Sequence, residues 1–106
     1  MTLDPRVTPA RADLAAAHLA GQVEAPRYAE GRPHRVVTAV CPVRRAPDSG
    51  APLDTEALRG ERVAVYEMRR GWAWGQIEGD GYVGYFPSAA LGRDDGEPTH
   101  RVSALR

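Results

Sequence analysis

The sequence predicts a small, mostly-β barrel preceded by a short N-terminal α-helix and closed by a single 3-10 turn near its end. Three observations carry that expectation. Residues 71–91, GWAWGQIEGDGYVGYFPSAAL, hold both tryptophans, two of the four tyrosines and the one phenylalanine. Within them, two aromatic and β-branched runs, Trp72 to Ile77 and Tyr82 to Phe86, flank Glu78-Gly79-Asp80-Gly81; an Asp-Gly pair tolerates positive φ, so the stretch reads as a β-hairpin. Upstream, short valine-rich runs alternate with glycine- and proline-marked turns, the pattern of closely spaced short strands.

Before the barrel, Thr8 supplies a capping hydroxyl and Pro9 fits the first helical position, with Asp13 a second cap. Leu14, Ala17 and His18 recur at helical spacing until Gly21 offers a stop, so residues 1–22 form an extension carrying a short helix. An alanine-rich helix this short does not persist alone in water. It therefore docks Leu14 and Leu19 on the domain or on a neighbour.

Residues 23–95 then make the barrel. Val23 to Tyr28 alternates weakly as a strand, and Glu30-Gly31-Arg32-Pro33 turns the chain. Arg35 to Cys41 is the next strand, with Val36, Thr38 and Val40 on one side, Val37, Ala39 and Cys41 on the other, and a stop at Pro42. Arg44 to Pro52 is rich in turn formers and reads as a long exposed loop. After a turn at Leu58-Arg59-Gly60-Glu61, the strand Arg62 to Glu67 places Val63 and Val65 in the core, with Ala64 and Tyr66 on its other face.

Met68-Arg69-Arg70-Gly71 turns the chain into the aromatic hairpin. Alternation there puts Ala73, Gly75 and Ile77 inside, and Trp72, Trp74 and Gln76 outside, with the indoles about 7 Å apart. An aromatic face outside the barrel must be covered by the N-terminal segment, another domain or a ligand. Pro87 ends the second strand, and Pro87 to Leu91 has room for one tight helical turn. Residues 96–106 are expected to be a linker and the first strand of a second, similar domain, because Thr99-His100-Arg101-Val102-Ser103-Ala104-Leu105 repeats the pattern of Pro33-His34-Arg35-Val36-Val37-Thr38-Ala39.

Composition narrows the function. With 106 residues the chain forms one small domain, too small for a large internal active site. Fourteen basic and fourteen acidic residues cancel, which argues against nucleic acid as a partner. No apolar run reaches the roughly 20 residues of a membrane span, and Asp4 and Pro5 interrupt where a signal peptide needs an apolar core, so the expected location is cytoplasmic, or periplasmic where a leader is removed. The single cysteine, Cys41, permits no internal disulfide.

Cys41 could be proposed as a nucleophile with His34 or His100. A reactive thiol needs a base or a helix N-terminus to lower its pKa, whereas Cys41 sits at a strand end before Pro42 and reads as a packed residue. His18, His34 and His100 lack metal-ligand spacing, so no metal and no cofactor are expected. Trp72, Trp74, Tyr82 and Tyr85 form the candidate site, either a groove for glycan or peptide or a docking face for another domain, the second preferred. The arginine pairs Arg44-Arg45 and Arg69-Arg70 suit carboxylates of acidic peptides, although solvated turn residues need no such role.

Gly71-Trp72, Gly81, Gly84-Tyr85-Phe86-Pro87-Ser88 and Gly60-Glu61 before a valine strand resemble the SH3-like β-barrel, and Val43-Arg44-Arg45-Ala46-Pro47 is similar to its bacterial form. More narrowly, DPRVTPARADLAAAHLAG, PHRVVTAV and DGYVGYFPSAAL look like the N-terminal bacterial SH3 (SH3b) domain of NlpC-type cysteine peptidases, which cut peptidoglycan peptides between γ-D-glutamate and a diamino acid. The resemblance implies a second SH3-like domain and a peptidase domain as partners, and peptidoglycan peptides as the ligand. The Asp-Cys-Ser-Gly stretch of such peptidases does not occur here, so the implied role is a non-catalytic module that positions the enzyme or walls its cleft; a self-sufficient binding module is the alternative. The proline-peptide groove of eukaryotic SH3 domains is not expected. Trp72 and Pro87 are present, but Ala90 stands where its late tyrosine would be, and Val37 to Cys41 replaces its tyrosine-rich strand.

Overall fold

Nine strands follow one another in the computed structural model, which describes residue 4 and residues 6–94. They are β1 (Ala15–Ala16), β2 (Tyr28–Ala29), β3 (Arg32–Val36), β4 (Val40–Arg44), β5 (Leu53–Leu58), β6 (Arg62–Arg69), β7 (Trp72–Ile77), β8 (Val83–Pro87) and β9 (Leu91–Arg93). Seven of them form one antiparallel sheet in the order β5-β4-β8-β7-β6-β3-β9. The sheet curls over a single core to which all seven contribute, among them Val36, Val43, Ala57, Val63, Ile77, Phe86 and Leu91. Alternation along β6 and β7 sends Val63, Val65, Ala73 and Ile77 to this core, as the sequence pattern demands.

The aromatic hairpin forms as expected. β7 and β8 pair with Trp72 opposite Pro87 and Gln76 opposite Val83, and the chain leaves through a 3-10 turn at Ser88–Ala90. Two glycines in this hairpin let backbones approach closely. A Cβ on Gly75 would collide with the Ala64 carbonyl oxygen, and one on Gly84 would lie 2.6 Å from Val43 Cγ1 and 2.9 Å from Arg44 O. Gly75 sits beside a β-bulge: β6 pairs Val65 with Gly75 and then Glu67 with Trp74, leaving Tyr66 as the extra residue.

The N-terminal α-helix is absent. Residues 15 and 16 form β1, parallel to β2, and the helical element that follows is a single 3-10 turn at Ala17–Leu19. Leu14, Ala15 and Ala16 are buried in succession, at 2%, 0% and 0% exposure. Three consecutive helical residues sweep about 200° of a helix surface and cannot all face one sheet. Extended backbone lets them lie between the barrel and the Arg27–Ala29 segment, with Ala15 N–H donating to Arg27 O and Ala16 N–H to Pro9 O. Tertiary burial thus overrides a modest helix propensity.

Three further expectations change. The strand at Arg35 to Cys41 splits into β3 and β4 around a turn at 37–39, where Thr38 Oγ1 donates to Val40 O at 2.9 Å. Pro42 lies inside β4 and does not stop it, since β4 meets β8 only at Arg44 and one side of Pro42 faces no ladder. The Val23 to Tyr28 strand shrinks to Tyr28–Ala29, and Val23 instead makes an isolated bridge to Ala20. The loop from Arg44 gives way at Leu53 to β5, whose only fully inward residue is the small Ala57. The proposed first strand of a second domain, with His100, lies outside the described residues.

Candidate functional site

On the outer face of β6, β7 and β8, residues 6–16 run as a strap. Val83 N–H donates to Arg6 O at 2.7 Å and Gln76 Nε2 donates to Val7 O at 3.2 Å, fixing the strap over the hairpin. The strap turns back at 11–14, where Arg11 N–H donates to Leu14 O. Leu14 then packs on Trp74 and Val83, forming a second apolar cluster flanked by Ala29, Tyr66 and Tyr85.

Trp74 lies at the centre of this face and is only 4% exposed. Tyr66 meets it with ring centroids 5.6 Å apart and a 55° tilt, a favourable aromatic geometry. Arg11 covers it from above, its guanidinium carbon 4.6 Å from the ring centroid, close enough for a cation–π contact. The same guanidinium holds Asp13 through two bonds of 3.0 Å, Glu67 at 2.7 Å and the Tyr85 hydroxyl at 3.2 Å. Arg27 adds a longer contact of 3.5 Å to Glu67. Hydrogen bonds from Arg11 hold the Asp13 carboxyl below its ordinary pKa.

Beside the covered face is an open cavity of about 460 Å³. Trp72, Trp74 and Tyr85 line it with Pro47, Arg69 and Arg70, together with Arg11 and Asp13 of the strap and Glu67 of β6. Three of the four candidate residues therefore meet at one place. Tyr82 does not; it is partly buried and packs against the barrel core near the β7–β8 turn. Arg11, Tyr66 and Glu67 belong to the site although sequence reasoning did not select them. For Tyr66 a signal existed, since alternation already set it on the outer face with Trp74. The cover by Arg11 depends on the strap and had none.

Arg44 and Arg45 do not join this cavity. Arg44 Nη1 donates to Ala51 O at 2.8 Å, and Arg45 pairs with Asp54 at 2.6 Å, so both brace the loop before β5. Cys41 is fully buried, its Sγ 3.7 Å from Pro42 O, and burial pushes the thiol up to about 11. At neutral pH it is a protonated, packed side chain and not a nucleophile. His34 is also buried, with Nδ1 3.0 Å from Arg32 O. Among the described residues no three His, Cys, Asp or Glu side chains are grouped to hold a metal ion.

Residues 43–91 match the family described as the bacterial dipeptidyl-peptidase SH3 domain. The match runs from the middle of β4 to the first residue of β9 and leaves the strap and β3 outside it. No curated protein and no solved structure matches the chain.

Proposed function

We propose that this chain, with its bacterial SH3 domain at residues 43–91, is a non-catalytic accessory module of a bacterial cell-wall cysteine peptidase of NlpC type, and that it forms one wall of the enzyme's substrate cleft. The observation that carries the reading is the division of the outer aromatic face. The strap closes Trp74, while Trp72 and Tyr85 remain beside an open cavity rimmed by arginines. A half-covered face of this kind suits contact with a further domain and with the peptide between them. The inert Cys41 supports the non-catalytic part, because the one thiol in the sequence is buried and protonated.

The test is made on the natural full-length protein, with a peptide containing a γ-D-glutamyl-diamino acid bond as substrate. Replacing Trp72 with alanine should lower kcat/KM about tenfold, the size expected for loss of one well-placed aromatic contact. Trp72→Phe should restore most of it, and thermal unfolding serves as the control for folding. An unchanged kcat/KM in Trp72→Ala would overturn the reading.

A further inference from the structure

The turn between β6 and β7 has two central residues, Arg70 and Gly71, at φ 54° and 84°, with Arg69 paired to Trp72 across it. A two-residue hairpin loop with positive φ at both centres is the type I′ geometry, which favours asparagine, aspartate or glycine at the first position. Arg70 is the sole non-glycine residue at positive φ among those described, and a side chain there costs about 1 kcal/mol. The sequence keeps an arginine where asparagine would fit better.

Its guanidinium braces nothing among the described residues. Among the described residues neither Arg69 nor Arg70 makes an ion pair or a side-chain hydrogen bond, whereas Arg11, Arg27 and Arg45 on neighbouring elements all do. Both line the open cavity next to Trp72. Of the charged residues lining that cavity, Arg11 pairs with Asp13 and Glu67, and Arg27, outside the lining, reaches the same two carboxylates at 3.7 and 3.5 Å, so the positive charge left unpaired among the described residues is that of Arg69 and Arg70. Two forked guanidinium donors beside an indole face fit a planar carboxylate joined to an apolar stem. Asp13 and Glu67, which line the same cavity and are already held by Arg11, can accept N–H groups of a peptide.

From this geometry we propose that the Arg69–Arg70 turn is a recognition site for a side-chain or terminal carboxylate of a short acidic peptide, with Trp72 supporting the peptide's apolar part. The inference deepens the cleft-wall reading and rests on it only for the neighbouring peptidase. Its test uses binding to the chain alone, so its failure leaves that reading standing.

The labelled 106-residue chain is titrated with acetyl-Gly-Glu-Glu, with its uncharged counterpart acetyl-Gly-Gln-Gln-amide and with inorganic phosphate. The acidic peptide should give saturable shifts of the Trp72 indole and Gly71 amide signals, with affinity at least about tenfold above the other two probes and falling with added salt. Arg70→Asn preserves the turn geometry, so it should leave melting unchanged or raised while weakening the acidic peptide about tenfold. Arg69→Gln should act in the same direction, and Arg93→Gln, outside the cavity, should not. Equal affinity for the three probes, no saturable shift, or undiminished binding by Arg70→Asn would overturn the proposal.

Discussion

Replacing Leu14 with alanine should open the strap without melting the barrel. Leu14 is 2% exposed and packs on Trp74 and Val83, and none of these residues belongs to the core cluster inside the sheet. The substitution removes three carbon atoms, about 2.4 kcal/mol at about 0.8 per buried methylene. With the cavity left behind, the total is about 3 kcal/mol. Apart from Leu14, the strap is held over the hairpin by the Arg6–Val83 and Val7–Gln76 hydrogen bonds and by the contacts of Arg11. A loss of that size therefore appears first as local undocking. In a Trp72→Phe background, Trp74 emission should shift to the red, because its cover is released. Exchange protection of the Val83 amide, which donates to Arg6 O, should fall about 100-fold. Protection in the inner strands should fall less. If Leu14→Ala leaves both Trp74 emission and Val83 protection as in the parent, the strap does not close this face and the reasoning fails.

Gly75→Ala should destabilise the barrel by about 3 kcal/mol, since its Cβ would meet the Ala64 carbonyl beside the β6 bulge; denaturant unfolding measures it, and a change under 1 kcal/mol would refute the close approach. Cys41 contributes a pH dependence at the alkaline end. Burial raises its folded pKa from 9.0 to about 11, so the unfolded chain loses the proton first. Stability is full below pH 9 and declines as pH rises towards 11, by about 3 kcal/mol in all. Urea midpoints compared with Cys41→Ala, which lacks this contribution, should diverge in that window, and parallel curves would contradict the burial argument. Iodoacetamide should modify native Cys41 at pH 8 far more slowly than the unfolded chain.

Hairpin geometry was legible because it is written locally. Trp72 to Gln76 alternates large and small residues, Asp80-Gly81 marks the turn, and Pro87 marks the end, so period and punctuation agree. β5 was not legible, because Leu53, Asp54, Thr55, Glu56 and Leu58 are exposed or only partly buried and Ala57 alone points inward. The break at Thr38 was hidden for a related reason: β-branched residues stand on both sides of it, and the turn is held by a threonine hydroxyl without glycine or proline. The helix expected near Leu14 failed where local propensity met a tertiary demand, three consecutive buried residues that only extended backbone can satisfy. At the site, alternation correctly set Trp72 and Trp74 on the outer face. It could not reveal that Arg11, 63 positions earlier than Trp74 in the chain, lies over the second indole.

That last point changes what the aromatic face can do. An outer face of Trp72, Trp74, Tyr66 and Tyr85 with no cover would be a broad apolar surface, open to any flat ligand. The segment matched to the bacterial SH3 family contains all four residues, yet the strap that closes Trp74 lies before Val43. The leading residues therefore act as a fixed occupant in cis, using Leu14 for the apolar contact and Arg11 for the charge. What they leave open is narrow: Trp72, the edge of Tyr85 and the Arg69–Arg70 turn. Removing the strap would thus enlarge the apolar surface by Trp74 and free Glu67 from Arg11, making the opening larger and stickier, while the joint loss of Arg11 and Asp13 leaves its net charge unchanged. Selectivity for a carboxylate at this site depends on the strap staying in place, because Arg11 on the strap holds Glu67 at 2.7 Å, and without it Glu67 keeps only the longer 3.5 Å contact to Arg27 and competes for the arginine turn.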